Sequence, residues 1–304
     1  MDSKILPDLT SPAGRTYLGG RFVSLRVAAI RLGVFIGPLF FLTSCFEPKQ
    51  GCLDLAAVNF DASADKDCED AGCACVYPKL QVVVDQRYDS LPYRRDSAFL
   101  GDNGLAFRLH DVAFYLSDFQ IFRGPDAFVV SDTLGLRAFS AFGSDTVRPV
   151  FRNDFQLVRL ETQTYAVGSF RESGDFSDVR IRFGLDGEAN RVIPKLAPAS
   201  HPLTSQPDSL WLSQNEGFVF LKVVIGRDVA SAQRDTLRFT RADVGDVFIA
   251  QSSQFFHAEG ADFRLRLRAD YKKLLGNVNW TTGSTNTWKQ QIVANLPSVF
   301  SLSQ

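Results

Sequence analysis

From Lys79 onward apolar and polar residues alternate with a period of two, and this pattern restricts the fold more than any other. Val112, Phe114 and Leu116 alternate with Asp111, Ala113 and Tyr115. Val179, Ile181 and Phe183 alternate with Asp178, Arg180 and Arg182, and Phe263, Leu265 and Leu267 with Arg264, Arg266 and Arg268. Successive side chains of a strand point to opposite faces, so each run reads as a half-buried antiparallel strand. Segments 156–165, 218–225, 235–240 and 244–251 read as further strands. Turn signals such as Gly124-Pro125-Asp126, Asp186-Gly187 and Gly260-Ala261-Asp262 separate them. Long helical periodicity is almost absent, and only 269–275 suggests a short helix. Many short strands divided by turns predict an all-β chain, an antiparallel β-sandwich over residues 79–304. The stretch 193–207 holds Pro194, Pro198, Pro202 and Pro207. It reads as a long exposed loop, and such loops on rigid β scaffolds often carry function.

The other end of the chain speaks about location. Residues 33–43 are apolar and uncharged, follow Arg21, Arg26 and Arg31, and close on Thr43-Ser44 before Cys45. A basic start, a short apolar run and small residues at a cut make an export signal. The run is about half of the roughly 20 residues that a spanning helix needs. A cysteine at the cut matches the bacterial lipoprotein signal, in which the thiol is acylated and becomes the new N-terminus. A buried helix followed by a chance cysteine fits less well, because the sequence turns polar at once. Residues 1–44 are therefore expected to be a signal peptide, with Cys45 the point of lipidation and the membrane a partner through that anchor. Phe46 after the cysteine fits the default sorting to the outer membrane, facing the periplasm or the cell surface. Cleavage removes five of the 33 Lys/Arg and two of the 34 Asp/Glu, leaving 28 against 32 and a net charge of −4. Such a chain has no electrostatic grip on nucleic acid.

Four cysteines follow the anchor, Cys52, Cys68, Cys73 and Cys75, all within 24 residues. An even count in an exported chain reads as two disulfides. A Cys73–Cys75 bond is sterically awkward, so each is expected to pair back to Cys52 or Cys68, in an order the sequence leaves open. Zinc fits less well, because the paired Cys-x-x-Cys knuckles are missing. The same stretch holds Asp54, Asn59, Asp61, Asp65, Asp67 and Asp70, an oxygen-rich set of the kind that wraps calcium, although no EF-hand pattern is present. Residues 45–78 thus form a small disulfide-stapled N-terminal module ahead of the sandwich.

No catalytic signature is present: no Gly-x-Ser-x-Gly elbow, no His-Glu-x-x-His, no phosphate loop. The chain reads as a non-enzyme. Its three histidines, His110, His201 and His257, are far apart in sequence. His257 sits at an expected strand end beside a turn, and His201 lies on the proline-rich loop. After cleavage no methionine remains, and residues 79–304 contain no cysteine. Imidazole with a carboxylate would then be the ligand set for copper or zinc.

Five stretches, at 111–119, 174–186, 210–222, His257 with Gly260, and 269–275, together resemble the MbnP-like family, named for a periplasmic copper-binding protein encoded beside methanobactin genes. DVAFYLSDF at 111–119 is similar to its "yYlSni" strand. GDFSDVRIRFGLD at 174–186, with Asn190 after it, is similar to its "G-x-Y-x-x-i-x-F-x-iGvD" stretch. LWLSQNEGFVFLK at 210–222 resembles "yWsWntGYvFlK". His257 with Gly260 resembles a late "fHlGG" turn, and ADYKKLL at 269–275 a terminal "vDlnklf". The order agrees over about residues 79–280, and the Cys52–Tyr77 module resembles an insert found in lipoproteins of that family. The resemblance implies an all-β envelope protein that handles copper beside a di-haem peroxidase-like partner, which can oxidise a tryptophan to kynurenine. Trp211 matches the first Trp of "WsW", whereas Ser213 takes the second and Phe218 the Tyr of "GY". The histidine often found in the first strand is missing from 80–87.

Two readings follow. In the first, the chain is an envelope lipoprotein that binds or traffics copper, with His257 as principal ligand, supported by His201 or Glu259, and with Trp211 nearby. In the second, it is a metal-free structural or binding lipoprotein of the outer membrane that keeps the sandwich.

Overall fold

The computed structural model describes residues 47–303, apart from 144, 160–162 and 231. Residues 1–46, and with them the expected signal peptide and Cys45, lie outside the described residues. The chain from Glu47 onward is one compact unit.

Two sheets carry the fold. The larger has nine strands and is organised around the strand Ala106–Arg123, 18 residues long. Gly217–Gly226 and Gly174–Phe183 flank it in antiparallel register. Trp211–Ser213 and Asp235–Thr240 extend one side, and Val247–His257 the other. The second sheet, of five strands, runs Gln163–Ser169, Lys79–Tyr88, Phe263–Asp270, Phe300–Ser303, with Leu91–Pro92 attached to Lys79–Tyr88. Within these two sheets one pair is parallel, Lys79–Tyr88 with Phe263–Asp270, which their separation in sequence permits. The alternation seen in the sequence is the observed burial. Leu80, Val82 and Val84, and opposite them Leu265, Leu267 and Ala269, face the core, with Phe114, Tyr115, Phe183 and Phe220 among the buried groups from the larger sheet.

Three expectations differ from what is found. Segment 156–165 is two strands, Gln156–Val158 in the larger sheet and Gln163–Ser169 in the smaller, because the chain changes sheets there. A 15-residue helix, Thr285–Val299, was not expected. It buries Trp288, Ile292, Leu296 and Val299, and Ser284 caps its start by accepting from Thr287 N–H. The proline-rich stretch 193–207 is a loop exposed over only part of its length. It forms one 3-10 turn, Pro194–Leu196, and buries Pro194, His201 and Leu203, with Val192 and Leu210 buried at its ends. Tyr115 donates to the Pro202 carbonyl at 3.2 Å and pins the loop to the long central strand. Apolar anchors spaced through a polar stretch hold a loop without making it regular.

The N-terminal module is stapled by Cys52–Cys75 and Cys68–Cys73. Its polar residues brace turns. Asp54 accepts from Ala56 N–H and the Tyr77 hydroxyl, both at 2.9 Å. The Asn59 amide donates to the Ala74 carbonyl at 2.9 Å and its oxygen accepts from Val76 N–H at 2.8 Å. Asp61 pairs with Lys49 at 2.8 Å.

Candidate functional site

His257 ends the strand Val247–His257, as expected, and is 2 % exposed. Nδ1 faces the Glu172 carbonyl, and Nε2 lies 2.6 Å from the Ala261 carbonyl. A carbonyl oxygen only accepts, so a neutral ring donates through one of these nitrogens, and both face main-chain oxygens rather than a second metal-ligating side chain. The ring stacks on Phe263 at a centroid distance of 4.9 Å. His257 therefore ties the segment before Gly174 to the turn after the strand, across a phenylalanine cluster. Glu259 is exposed on that turn.

His201 is 7 % exposed. Its Nε2 lies 3.0 Å from Asn153 Oδ1, and its Nδ1 accepts from Leu203 N–H at 3.1 Å. That pattern is a neutral ring with both nitrogens used. Burial holds its pKa down at about 4. His201 and His257 line separate cavities, of about 400 and 550 Å3. His110 is also buried, with Nδ1 against the Asp96 carboxylate. Its Nε2 has no hydrogen-bond partner among the described residues and packs over Gly226, where a Cβ would sit 3.0 Å away. Among the described residues no group of three or more His, Cys, Asp or Glu side chains is placed to hold a metal ion. The structure does not bring His257, His201 and Glu259 together: His257 and His201 line different cavities, and Glu259 is exposed on the turn after His257. In the N-terminal module Asp54, Asn59 and Asp61 brace turns through their side-chain oxygens.

The proline-rich loop instead builds a cleft at Trp211. Trp211 opens a hairpin in which it pairs with Phe218 across the turn at Gly217. Gly217 has φ of 74°, and a Cβ there would lie 2.2 Å from the Asn190 amide nitrogen. Only glycine allows this approach. Asn190 accepts from Phe218 N–H at 2.8 Å and so braces the hairpin. Between the hairpin and the loop lies a cavity of about 380 Å3, walled by Trp211, Phe139, Ile193 and Pro194 and edged by Lys195, Ser205, Gln206 and Ser209. Trp211 packs one side on the core and is half-buried.

A clasp beneath fixes the loop. Asp208 accepts from Arg159 at 3.0 and 3.2 Å and from Lys222 at 3.0 Å; Lys222, 8 % exposed, also donates to Asp111 at 2.7 Å. Burial alone would raise the Asp208 carboxyl, but hydrogen bonds from Arg159 and Lys222 outweigh it and hold it down at about 2. Lys222 is the one charged residue in the apolar run 218–225, and such a residue needs a buried partner. That signal was visible in the sequence, but its partner, 14 residues upstream on an irregular loop, was not.

The sequence profile of MbnP matches residues 77–292, most of the chain. The chain belongs to the MbnP family. Among solved structures it is similar to MbnP from Methylosinus trichosporium, at 12 % identity over 64 % of this chain and 76 % of that one, with a TM-score of 0.39. None of the curated proteins matches.

Proposed function

We propose that this MbnP-family chain is an envelope lipoprotein, held to the membrane by a lipid on Cys45, whose sandwich is a metal-free binding module with its site at the Trp211 cleft. One observation carries the reading. The cleft at Trp211 is open, apolar-walled and edged by polar groups, whereas His257 and His201 are buried at separate cavities and face other protein groups. Its volume lies at the lower end of the range of about 300–1,000 Å3 for small-molecule sites. On this reading Trp211 is an unmodified wall of the cleft, and no di-haem peroxidase-like partner is required.

A thermal-shift screen of small molecules against the chain from Glu47 to Gln304 tests it. Ligands of the cleft raise the Tm of the wild type and not of Trp211→Ala. A shift produced by copper and lost in His257→Ala would overturn the reading in favour of the copper one.

A further inference from the structure

The polar groups at the cleft share one character. Lys195 is exposed and has no ion-pair or hydrogen-bond partner among the described residues; the same holds for Trp211 Nε1–H and for the Ser205 and Ser209 hydroxyls. A lysine ammonium and an indole N–H only donate, and a hydroxyl donates readily. The nearest acid in the chain, Asp208, lies between Gln206 and Ser209, but both its oxygens are taken by Arg159 and Lys222. No carboxylate lines the cavity. A second cation stands close. The Arg137 carbonyl accepts from the N–H of Ile193, which walls the cavity, at 2.9 Å, and Arg137 immediately precedes the strand Ala138–Phe139. Arg137 is exposed and is likewise unpaired among the described residues. The walls are flat: an indole, a phenyl ring and a proline. Aromatic walls favour stacked rings, and unpaired cations beside them favour a negative group.

One backbone feature agrees. Ser209 has φ of 56°, a left-handed conformation that a non-glycine residue adopts only at a cost in backbone strain. Asp208 on one side is clasped and Leu210 on the other is buried, so the loop is forced into this conformation. Its effect is to leave Ser209 at the rim of the cavity.

Building on the cleft reading above, we propose that the Trp211 cleft takes a flat aromatic organic anion, its ring against Trp211 and Phe139 and its charged group on Lys195. Attraction between an exposed cation and the ligand is modest and screened by salt, so the aromatic wall supplies most of the affinity and Lys195 the selectivity.

The test titrates the chain from Glu47 to Gln304 calorimetrically with naphthalene-2-sulfonate and with its uncharged counterpart, naphthalene-2-sulfonamide. The sulfonate is expected to bind one per chain and about fivefold or more tighter than the sulfonamide at low salt. Lys195→Ala, an exposed substitution that leaves the fold intact, is expected to remove that difference and leave the sulfonamide unchanged; Trp211→Ala is expected to weaken both. Equal binding of the two probes, or a preference that survives Lys195→Ala, overturns the anion proposal and leaves the cleft standing. Binding of neither, or binding that survives in a folded Trp211→Ala variant, overturns the cleft reading itself.

Discussion

The clasp under the cleft can be broken at a single atom. In Asp208→Asn the side chain keeps its shape but loses its charge, and an NH2 group replaces one carboxylate oxygen. Asp208 receives two N–H bonds from Arg159 and one from Lys222 in the folded chain. Hydrogen bonds to charged groups contribute about 1.5–3 kcal/mol each. Leaving a buried charge stripped of its partner costs about 3–5 kcal/mol. The variant stays below that range for two reasons: Lys222 keeps Asp111 at 2.7 Å, and Arg159 keeps Gln206 at 2.9 Å. A loss of about 2–3 kcal/mol is therefore expected. Urea unfolding reads it as a lower midpoint with an unchanged slope. Because the variant loosens the stretch carrying Ser205, Gln206 and Ser209, ligands of the cleft are expected to weaken as well. Lys272→Ala supplies the contrast. It removes an ion pair with Asp89 at 3.1 Å in which both side chains are well exposed, and it is expected to change stability by under about 0.5 kcal/mol. If Asp208→Asn matches Lys272→Ala, the clasp does not hold the loop.

Other outcomes follow from the same geometry. His201 is held at about 4 when folded against 6.5 when free, so the unfolded chain takes up the proton first. Its contribution is complete above pH 6.5 and is lost as pH falls toward 4, by at most about 3 kcal/mol; His201→Gln flattens the stability profile over that window, and an unchanged profile refutes it. Cys45→Ser is expected to leave the protein out of the membrane fraction or as an uncleaved precursor, and a processed, membrane-bound variant would contradict the lipid anchor. Peptide mapping without reductant is expected to recover Cys52 joined to Cys75 and Cys68 joined to Cys73. Reduction should leave unfolding of the sandwich intact, because its core contains no cysteine; loss of the sandwich transition on reduction would show that the module supports it.

Much of the fold was readable because strands write their burial into sequence. Phe263, Leu265 and Leu267 face inward as their alternation with arginines requires. The helix Thr285–Val299 was missed although Trp288, Ile292 and Leu296 stand at helical spacing behind the cap Ser284, because polar residues dilute its single buried stripe. The cleft was less legible. Trp211 and the proline-rich loop were singled out, but a proline count marks only irregular backbone. What packs that backbone is Leu203, Leu210 and the clasp on Lys222, contacts between distant segments that no local period encodes. His257 was placed correctly at a strand end. Its bonding could not be read, since both partners are main-chain carbonyls that any residue supplies.

A copper titration decides between the two readings most directly. The chain from Glu47 to Gln304 would be titrated with copper under reducing and then oxidising conditions, alongside His257→Ala. With His257 and His201 buried at separate cavities and no group of three ligating side chains among the described residues, the wild type is expected to take up no stoichiometric copper and the variant to match it. One copper per wild-type chain, lost or weakened about tenfold or more in a folded His257→Ala, would show that His257 is a ligand and that the metal-free reading is wrong.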